Sequence, residues 1–104
     1  MARAFYQKVY KVVRRIPKSK VLTYADVARL AGSPGAFRAV GTAMKNNPNL
    51  VVCPCHRVVG SEGKMHGYAN GGESVKIEML KKEGVRFRGN MVDLGLSRWK
   101  ASGI

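Results

Sequence analysis

Side chains that are reactive at neutral pH are concentrated in one short stretch of the chain. Residues 51–59 read VVCPCHRVV, so a thiol, an imidazole and a guanidinium interrupt an apolar run. Only roughly a few per cent of an unperturbed cysteine is thiolate at pH 7, so a useful nucleophile needs a neighbouring base or positive field. His56 and Arg57 follow Cys55 directly and could supply one or both. The stretch therefore predicts nucleophilic chemistry at a cysteine.

Zinc binding is the alternative chemistry, because Cys53, Cys55, His56 and His66 are all zinc-ligand types. Adjacent residues on an extended chain project in different directions, and Cys-x-Cys lacks the two-residue gap of common zinc knuckles. We therefore expect no metal site, and we expect Cys53 to be a small buried apolar residue. Two cysteines flanking one proline are also poorly placed to bond to each other, so reduced thiols are expected.

The charge of the chain points to a polyanionic partner. Its 104 residues have room for one domain, 1–104, and carry a formal net charge of +13. Residues 1–61 hold eleven basic residues and one acid, Asp26. Nucleic acid is the commonest partner of a small basic domain, although charge alone also fits simple solubility. The uncharged runs are too short to cross a bilayer and the first residues lack a signal-peptide core, so we expect a cytoplasmic protein.

The first half of the chain predicts three helices. Apolar residues recur at helical spacing over 5–16, and Pro17 should end that helix. Thr23 and Asp26 have the spacing of a capping box, which predicts a second helix that ends at Gly32. Ser33 and a following proline predict a third helix over about 34–45. The pair of helices indicates a helix-turn-helix, and small residues make the third helix slim enough either to approach another surface or to pack tightly inside the domain.

The second half predicts one more helix and a hairpin. Residues 67–72 form a glycine-rich loop without the ending of a phosphate-binding motif. A helix is expected over 73–82, with Val75, Ile77, Met79 and Leu80 available for burial, and Gly84 closing it. Alternation over 85–94 around Gly89 and Asn90 predicts a β-hairpin. The expected fold is mainly α, a small winged helix-turn-helix domain with a short hairpin.

An ordered series of motifs resembles a known family. Pro54-Cys55-His56-Arg57-Val58 is preceded by Arg38-Ala39-Val40-Gly41 and Asn47-Pro48, and followed by Gly67-Tyr68 and Glu83-Gly84. From about Phe5 to Gly84 the chain resembles the DNA-binding domain of O6-alkylguanine-DNA alkyltransferases, without the N-terminal domain that many members have. Its length and its ending through Trp99 are similar to the single-domain alkyltransferase-like proteins, which bind alkylated guanine without repairing it and usually have tryptophan where this chain has Cys55.

The resemblance implies a reaction without cofactor. The Cys55 thiolate would attack the alkyl carbon on guanine O6 and keep the alkyl group as a thioether, so that each molecule acts once. His56 would take the thiol proton through a water, and Glu83 would orient the imidazole. Asn47 would brace the turn that holds the cysteine, and Tyr24 would donate to guanine N3 as the purine leaves.

The resemblance also implies that the damaged nucleotide is turned out of duplex DNA. The third helix would enter the minor groove through Gly35, Ala36, Phe37 and Arg38, and the Arg38 side chain would fill the vacated stack. Phe37 replaces a small residue, so it is either a second wedge or a core residue. The lesion pocket would consist of Val58, Gly67, Tyr68, Ala69 and Asn70.

Two departures from the family pattern concern this pocket. Ala69 and Asn70 add one residue to the usual loop, which would displace its hydrogen bonds. His66 either restricts large alkyl groups or faces solvent.

Two functions follow from these residues. The first is a monomeric DNA repair protein that transfers the alkyl group from O6-alkylguanine in double-stranded DNA to Cys55. The second is a lesion sensor that binds O6-alkylguanine without transfer and recruits other repair proteins. A basic DNA-binding module without preference for the lesion is a third interpretation, and its affinity would fall steeply with salt.

Overall fold

Helices make up most of the described chain, and two-residue strands link them. The computed structural model describes residues 2–46, 54–65 and 72–100. In chain order the elements are α1 (Ala2–Arg14), β1 (Leu22–Thr23), α2 (Tyr24–Leu30), α3 (Phe37–Lys45), β2 (Val58–Val59), α4 (Gly72–Lys82), β3 (Phe87–Arg88), β4 (Met91–Val92) and α5 (Leu94–Ser97). The predicted mainly helical fold is confirmed. Within the described ranges, no helix is long and apolar enough to cross a membrane.

Helix α1 buries the apolar face that its sequence predicts. The members of that face pack into the main core: Val9, Val12, Val13 and Ile16. The α-helix ends at Arg14, a turn before Pro17. Ile16 donates its backbone N–H to Val13 at 3.1 Å in a tighter turn, because the residue before a proline is disfavoured in the α conformation. The exposed faces of α1 carry lysines and arginines.

Both ends of α2 have the caps that the sequence predicts. The Thr23 hydroxyl accepts from the N–H of Asp26 and the Asp26 carboxylate accepts from the N–H of Thr23, both at 3.1 Å. At the other end Gly32 has φ +90°, and Ser33 donates its N–H to the carbonyl of Ala28 at 2.9 Å. These bonds satisfy backbone groups that a free helix end would expose.

The predicted start of α3 is wrong. The helix begins at Phe37 rather than Pro34, and Ser33 does not cap it. The Ser33 carbonyl instead accepts from the N–H of Ala36 at 3.0 Å, which closes a separate turn. Gly35 has φ +92° in that turn, a conformation that ends regular helix geometry. Gly35 and Ala36 therefore lie ahead of α3, which still packs against α2 as a helix-turn-helix.

A parallel strand pair connects the start of α2 to the cysteine stretch. Leu22 pairs with Val58 and Thr23 pairs with Val59. This pair is not predictable from the sequence, because two buried residues per strand are too few to produce an alternating pattern. Its effect is to place the residue that follows β1, Tyr24, beside the turn that precedes β2.

Residues from the last third of the described chain pack with Val21 and Val59 in a second small core. Strands β3 and β4 pair antiparallel, Phe87 with Val92 and Arg88 with Met91, so the predicted hairpin is confirmed. The cluster that they cover contains Val21, Val59, Leu80, Val85 and Val92. The burial predicted for α4 is partly wrong, because Val75 is 37% exposed whereas Leu80 is buried. Lys76, the next residue, is buried instead, at 2% exposed.

Candidate active site

Cys55 begins a single helical turn that leads into the buried strand β2. The turn spans Cys55–Arg57, and Arg57 donates its N–H to the Pro54 carbonyl at 3.0 Å. Val58 then continues directly into β2. The thiol residue is free and only 6% exposed. Both residues that follow the cysteine in this turn, His56 and Arg57, reach the same carboxylate, that of Glu83.

His56 lies against the carboxylate that follows α4. Its Nε2 is 3.1 Å from Glu83 Oε1, and both side chains are largely buried. Among the described residues Nε2 has no hydrogen bond of good alignment, so the contact with Glu83 is mainly electrostatic. Burial lowers the pKa of His56 below its ordinary value, although Glu83 acts in the opposite direction. The imidazole is therefore neutral at pH 7 and can accept a proton.

Arg57 binds the same carboxylate with a two-pronged contact. Its Nε donates to Glu83 Oε1 at 2.8 Å and its Nη2 donates to Oε2 at 2.6 Å, while Nη1 donates to the Ile16 carbonyl at 2.8 Å. Burial raises the pKa of Glu83, but the hydrogen bonds from Arg57 and the electrostatic contact with His56 outweigh this and hold the pKa below its ordinary value. Arg57 thus fixes the carboxylate that faces His56.

A buried lysine is the site residue that sequence reasoning missed. Lys76 on α4 is only 2% exposed, and its Nζ donates to the Val58 carbonyl at 2.6 Å. Burial lowers the pKa of Lys76 to about 8, while the negative charge of an ionised Cys55 raises it. The sequence signal that could have identified Lys76 is its helical phase, because it precedes the buried Leu80 by one helical turn and so lies on the same face of α4. A lysine at that phase contradicts the usual exposure of this residue type.

Tyr24 is the first residue of α2 and connects two parts of the site. The Lys76 Nζ lies 5.9 Å from the centre of its ring. Burial and the negative charge of an ionised Cys55 raise the pKa of Tyr24 above its ordinary value. The phenol therefore keeps its proton at neutral pH and can donate it. Tyr24 also lines the groove described next, so it lies between that groove and the cysteine.

A half-open groove of about 670 Å³ separates the start of α2 from α3. Its lining is mostly apolar, and its two cationic residues, Arg38 and Lys45, lie on α3. The lining residues are Thr23, Tyr24, Ala25, Phe37, Arg38, Gly41, Thr42, Lys45 and Ser61. Arg38 is exposed, and Phe37 is 49% exposed at the first position of the helix. Phe37 is therefore not a core residue, which leaves the wedge as the remaining interpretation from the sequence.

Several predicted site residues lie outside the described ranges. They are Asn47, Gly67, Tyr68, Ala69 and Asn70, together with Cys53 and His66. Among residues 2–46, 54–65 and 72–100, no three His, Cys, Asp or Glu side chains converge in a way that could hold a metal ion. The predicted residues that the structure brings together are thus Cys55, His56, Glu83, Tyr24 and Val58.

The chain is similar in sequence and fold to known proteins. The description "6-O-methylguanine DNA methyltransferase, DNA binding domain" belongs to a family model that matches residues 4–85. The chain belongs to this family. The resemblance found in the sequence is therefore confirmed.

Curated relatives in this family are named methylated-DNA–protein-cysteine methyltransferase. The one from Cricetulus griseus is 42% identical over 100 residues, which cover 93% of this chain and 48% of the relative. The one from Shigella flexneri is 48% identical over 80 residues, covering 77% of this chain and 46% of the relative. The chain thus spans about half the length of the curated relatives that it matches.

Solved structures show the same fold bound to DNA. S. pombe Atl1 in complex with damaged DNA containing O6-carboxymethylguanine is 38% identical, with a TM-score of 0.78, and the match covers 93% of this chain and 95% of that one. Mycobacterium tuberculosis OGT in complex with DNA is 40% identical, with a TM-score of 0.73, covering 88% of this chain and 54% of that one.

Proposed function

We propose that this protein repairs O6-alkylguanine in double-stranded DNA by moving the alkyl group irreversibly to Cys55. The observation that carries the proposal is the setting of the cysteine: a buried thiol stands in a turn with a neutral imidazole next to it in sequence, near a buried lysine and a protonated tyrosine. The relatives' names and the damaged DNA bound by S. pombe Atl1 support the same substrate.

The proposed reaction is a single displacement. The sulfur forms a bond to the alkyl carbon while the bond from that carbon to guanine O6 breaks. His56 accepts the proton of the thiol, through a water, and Tyr24 donates a proton to N3 of the departing guanine. The proton taken by His56 balances the one given by Tyr24. No metal or organic cofactor is required, and the thioether is stable, so each molecule reacts once.

The surrounding residues have distinct parts in this proposal. Glu83, held by Arg57, favours the imidazolium that forms on His56. The ammonium of Lys76 interacts electrostatically with Cys55 and would attract negative charge on the sulfur. Val58 contributes its carbonyl to Lys76 and its backbone to the wall of the pocket.

DNA would reach the cysteine through the groove between α2 and α3. We propose that α3 enters the minor groove, that Arg38 fills the space of the turned-out nucleotide, and that Phe37 acts as a second wedge. The exposure of both side chains on one helix end supports this arrangement. Gly35 and Ala36 keep the turn ahead of α3 small, so that the backbone can approach the DNA closely.

The roles proposed for Asn47 and for the pocket residues Gly67, Tyr68, Ala69 and Asn70 rest on the family resemblance alone. We also propose that the protein acts as a monomer, in the cytoplasm and with access to DNA.

Transfer of a labelled methyl group tests the proposal. A duplex that carries O6-methylguanine with tritium in its methyl group is incubated with the protein, and acid-stable label on the protein is counted. We expect label up to one methyl per molecule, and none with Cys55→Ala. Tight and lesion-specific binding with all label left on the DNA would instead establish a sensor. Equal binding to lesion and plain duplex would leave only a general DNA-binding module.

A further inference from the structure

The segment after the hairpin returns to β1 and extends the parallel strand pair. Val21 pairs with Arg98 in a parallel bridge. The N–H of Val21 donates to the Ser97 carbonyl, and the N–H of Trp99 donates to the Val21 carbonyl, both at 2.8 Å. Because β1 pairs with β2 on its other side, it lies between the segment of Arg98 and the strand that leaves the cysteine turn. We call residues 94–100 the C-terminal brace.

The Arg98 side chain joins the C-terminal brace to the start of α2. Its Nε donates to Asp26 Oδ2 at 3.0 Å and its Nη2 donates to Oδ1, so the guanidinium binds the carboxylate with both prongs. Asp26 is 4% exposed and also accepts from the N–H of Thr23. Burial raises the pKa of Asp26, but the bonds from Arg98 and Thr23 outweigh it and hold the pKa below its ordinary value. One carboxylate therefore ties together β1, α2 and the brace.

This tie lies next to a residue of the proposed reaction. Thr23 is the cap of α2 and Tyr24 follows it, so the position of the phenol depends on how β1 and α2 are held. The cysteine turn is fixed to the same strand through β2. The brace therefore supports β1 from the side opposite to Cys55. The family model ends at residue 85, so the brace comes from residues beyond the matched region.

We propose that Arg98 is a positioning residue for alkyl transfer, which fixes Tyr24 against Cys55 by clamping Asp26 at the start of α2. This inference rests on the proposed function for its catalytic consequence only. The geometric part, that Arg98 determines the placement of Tyr24, holds for a lesion sensor as well. Arg29 provides a matched control, because it contacts the same Asp26 Oδ1 at 3.7 Å from a largely exposed position on α2.

The first arm of the test measures transfer from an O6-methylguanine duplex in single turnover. For Arg98→Gln we expect the rate at saturating DNA to fall about tenfold, because the proton donor is misplaced, with the DNA affinity within about twofold. Arg98→Lys keeps the charge without the two-pronged geometry, and its transfer rate should fall about threefold. Arg29→Gln should react at the wild-type rate. A wild-type rate for both Arg98 variants would overturn the proposal.

The second arm needs no transfer. Tyrosine labelled with ¹³C at Cζ is titrated by NMR in the free protein, with Tyr24→Phe to assign the signal. In Arg98→Lys and Arg98→Gln the pKa of Tyr24 should fall towards its ordinary value, because the ring becomes more exposed to solvent and moves away from Cys55. Arg29→Gln should leave the pKa of Tyr24 unchanged. Unchanged titration in both Arg98 variants would overturn the inference. A wild-type protein that transfers no methyl would sink the proposed function while this arm still decides the placement. Arg98→Lys serves both arms if Arg98→Gln does not fold.

Discussion

At the scale of single residues, the site depends on charges that are buried in pairs or next to polar groups. Glu83 has two partners, Arg57 and His56, and all three side chains are largely shielded from solvent. A buried carboxylate of this kind is stabilising only while its partners remain, since removing one member leaves the other charged and desolvated. The same argument applies to Lys76, whose ammonium is held by the Val58 carbonyl.

Replacement of Glu83 should lower the free energy of unfolding much more than replacement of Glu78, another glutamate near it. Glu83→Gln leaves the Arg57 guanidinium without its carboxylate, and we expect the free energy of unfolding to fall by about 3 kcal/mol. Glu78→Gln on α4 changes the net charge equally, but the exposed pair of Glu78 with Lys82 should contribute less than about 0.5 kcal/mol. Urea unfolding at pH 7 measures both. Similar losses for the two variants would show that the buried contact of Glu83 has no special weight.

Lys76 should make the stability of the wild type rise with pH in the alkaline range. Burial lowers the pKa of Lys76 from 10.5 to about 8, so between these values the unfolded chain binds more protons than the folded one. The free energy of unfolding should therefore increase with pH there, on the order of 3 kcal/mol in total.

The variant Lys76→Met isolates this contribution, because it has no proton to lose. Urea unfolding is measured at pH values from about 7.5 to about 10. The free energy of unfolding should increase with pH in the wild type, and the increase should be absent in Lys76→Met. Lys81→Met, at an exposed position of α4, should retain the increase. An equal increase in the wild type and Lys76→Met would contradict the assignment of the buried lysine.

At the scale of elements, features that depend on local spacing were predicted correctly, whereas contacts between distant segments were not predicted. The capping box of Thr23 and Asp26 and the hairpin around Gly89 follow from spacing over a few residues, and both are present. The pairing of β1 with β2 and the clamp of Arg98 on Asp26 join segments more than thirty residues apart. A single sequence does not mark such partners, because two-residue strands are too short for an alternating pattern and an arginine such as Arg98 has an ordinary surface interpretation.

The candidate site divides in the same way. Its reactive residues were predicted from Cys55 and His56 and from the family resemblance, and Glu83 lies against His56 as that resemblance implied. Lys76 was missed because burial of a lysine depends on tertiary packing, which overrides the usual preference of the residue type. The start of α3 was misplaced because Ser33 and Pro34 form a good local helix start that the left-handed Gly35 then interrupts.

Helix α3 should be required for turning out the nucleotide rather than for the chemistry. Arg38→Ala should slow transfer from a lesion in duplex DNA about thirtyfold, because a stack-filling group that compensates about 2 kcal/mol of unstacking is lost. Reaction with free O6-alkylguanine base should change less than about twofold. Lys45→Ala, at the other end of α3, should weaken lesion and plain duplex alike. Equal losses on duplex and free base for Arg38→Ala would contradict the stack-filling role.

At the scale of the whole molecule, the distribution of charge agrees with a DNA-binding surface. The single acid in residues 2–46, Asp26, is buried and bound by Arg98, so it does not offset the ten lysines and arginines of that part. The groove between α2 and α3 lies in the same part, whereas acids other than Asp26 occur from Glu62 onward. A duplex would therefore be attracted to the half of the molecule that holds Arg38 and Tyr24.

The central claim is that Cys55 keeps the alkyl group, and peptide mass analysis after reaction tests it most directly. The protein is incubated with excess O6-methylguanine duplex and digested with trypsin, which releases residues 46–57 with Cys53 and Cys55 on one peptide. Fragmentation should place one added methyl on Cys55, none on Cys53, and the added mass should not increase with longer incubation. An unmodified peptide from protein that binds the lesion tightly, or a methyl on Cys53, would contradict the account.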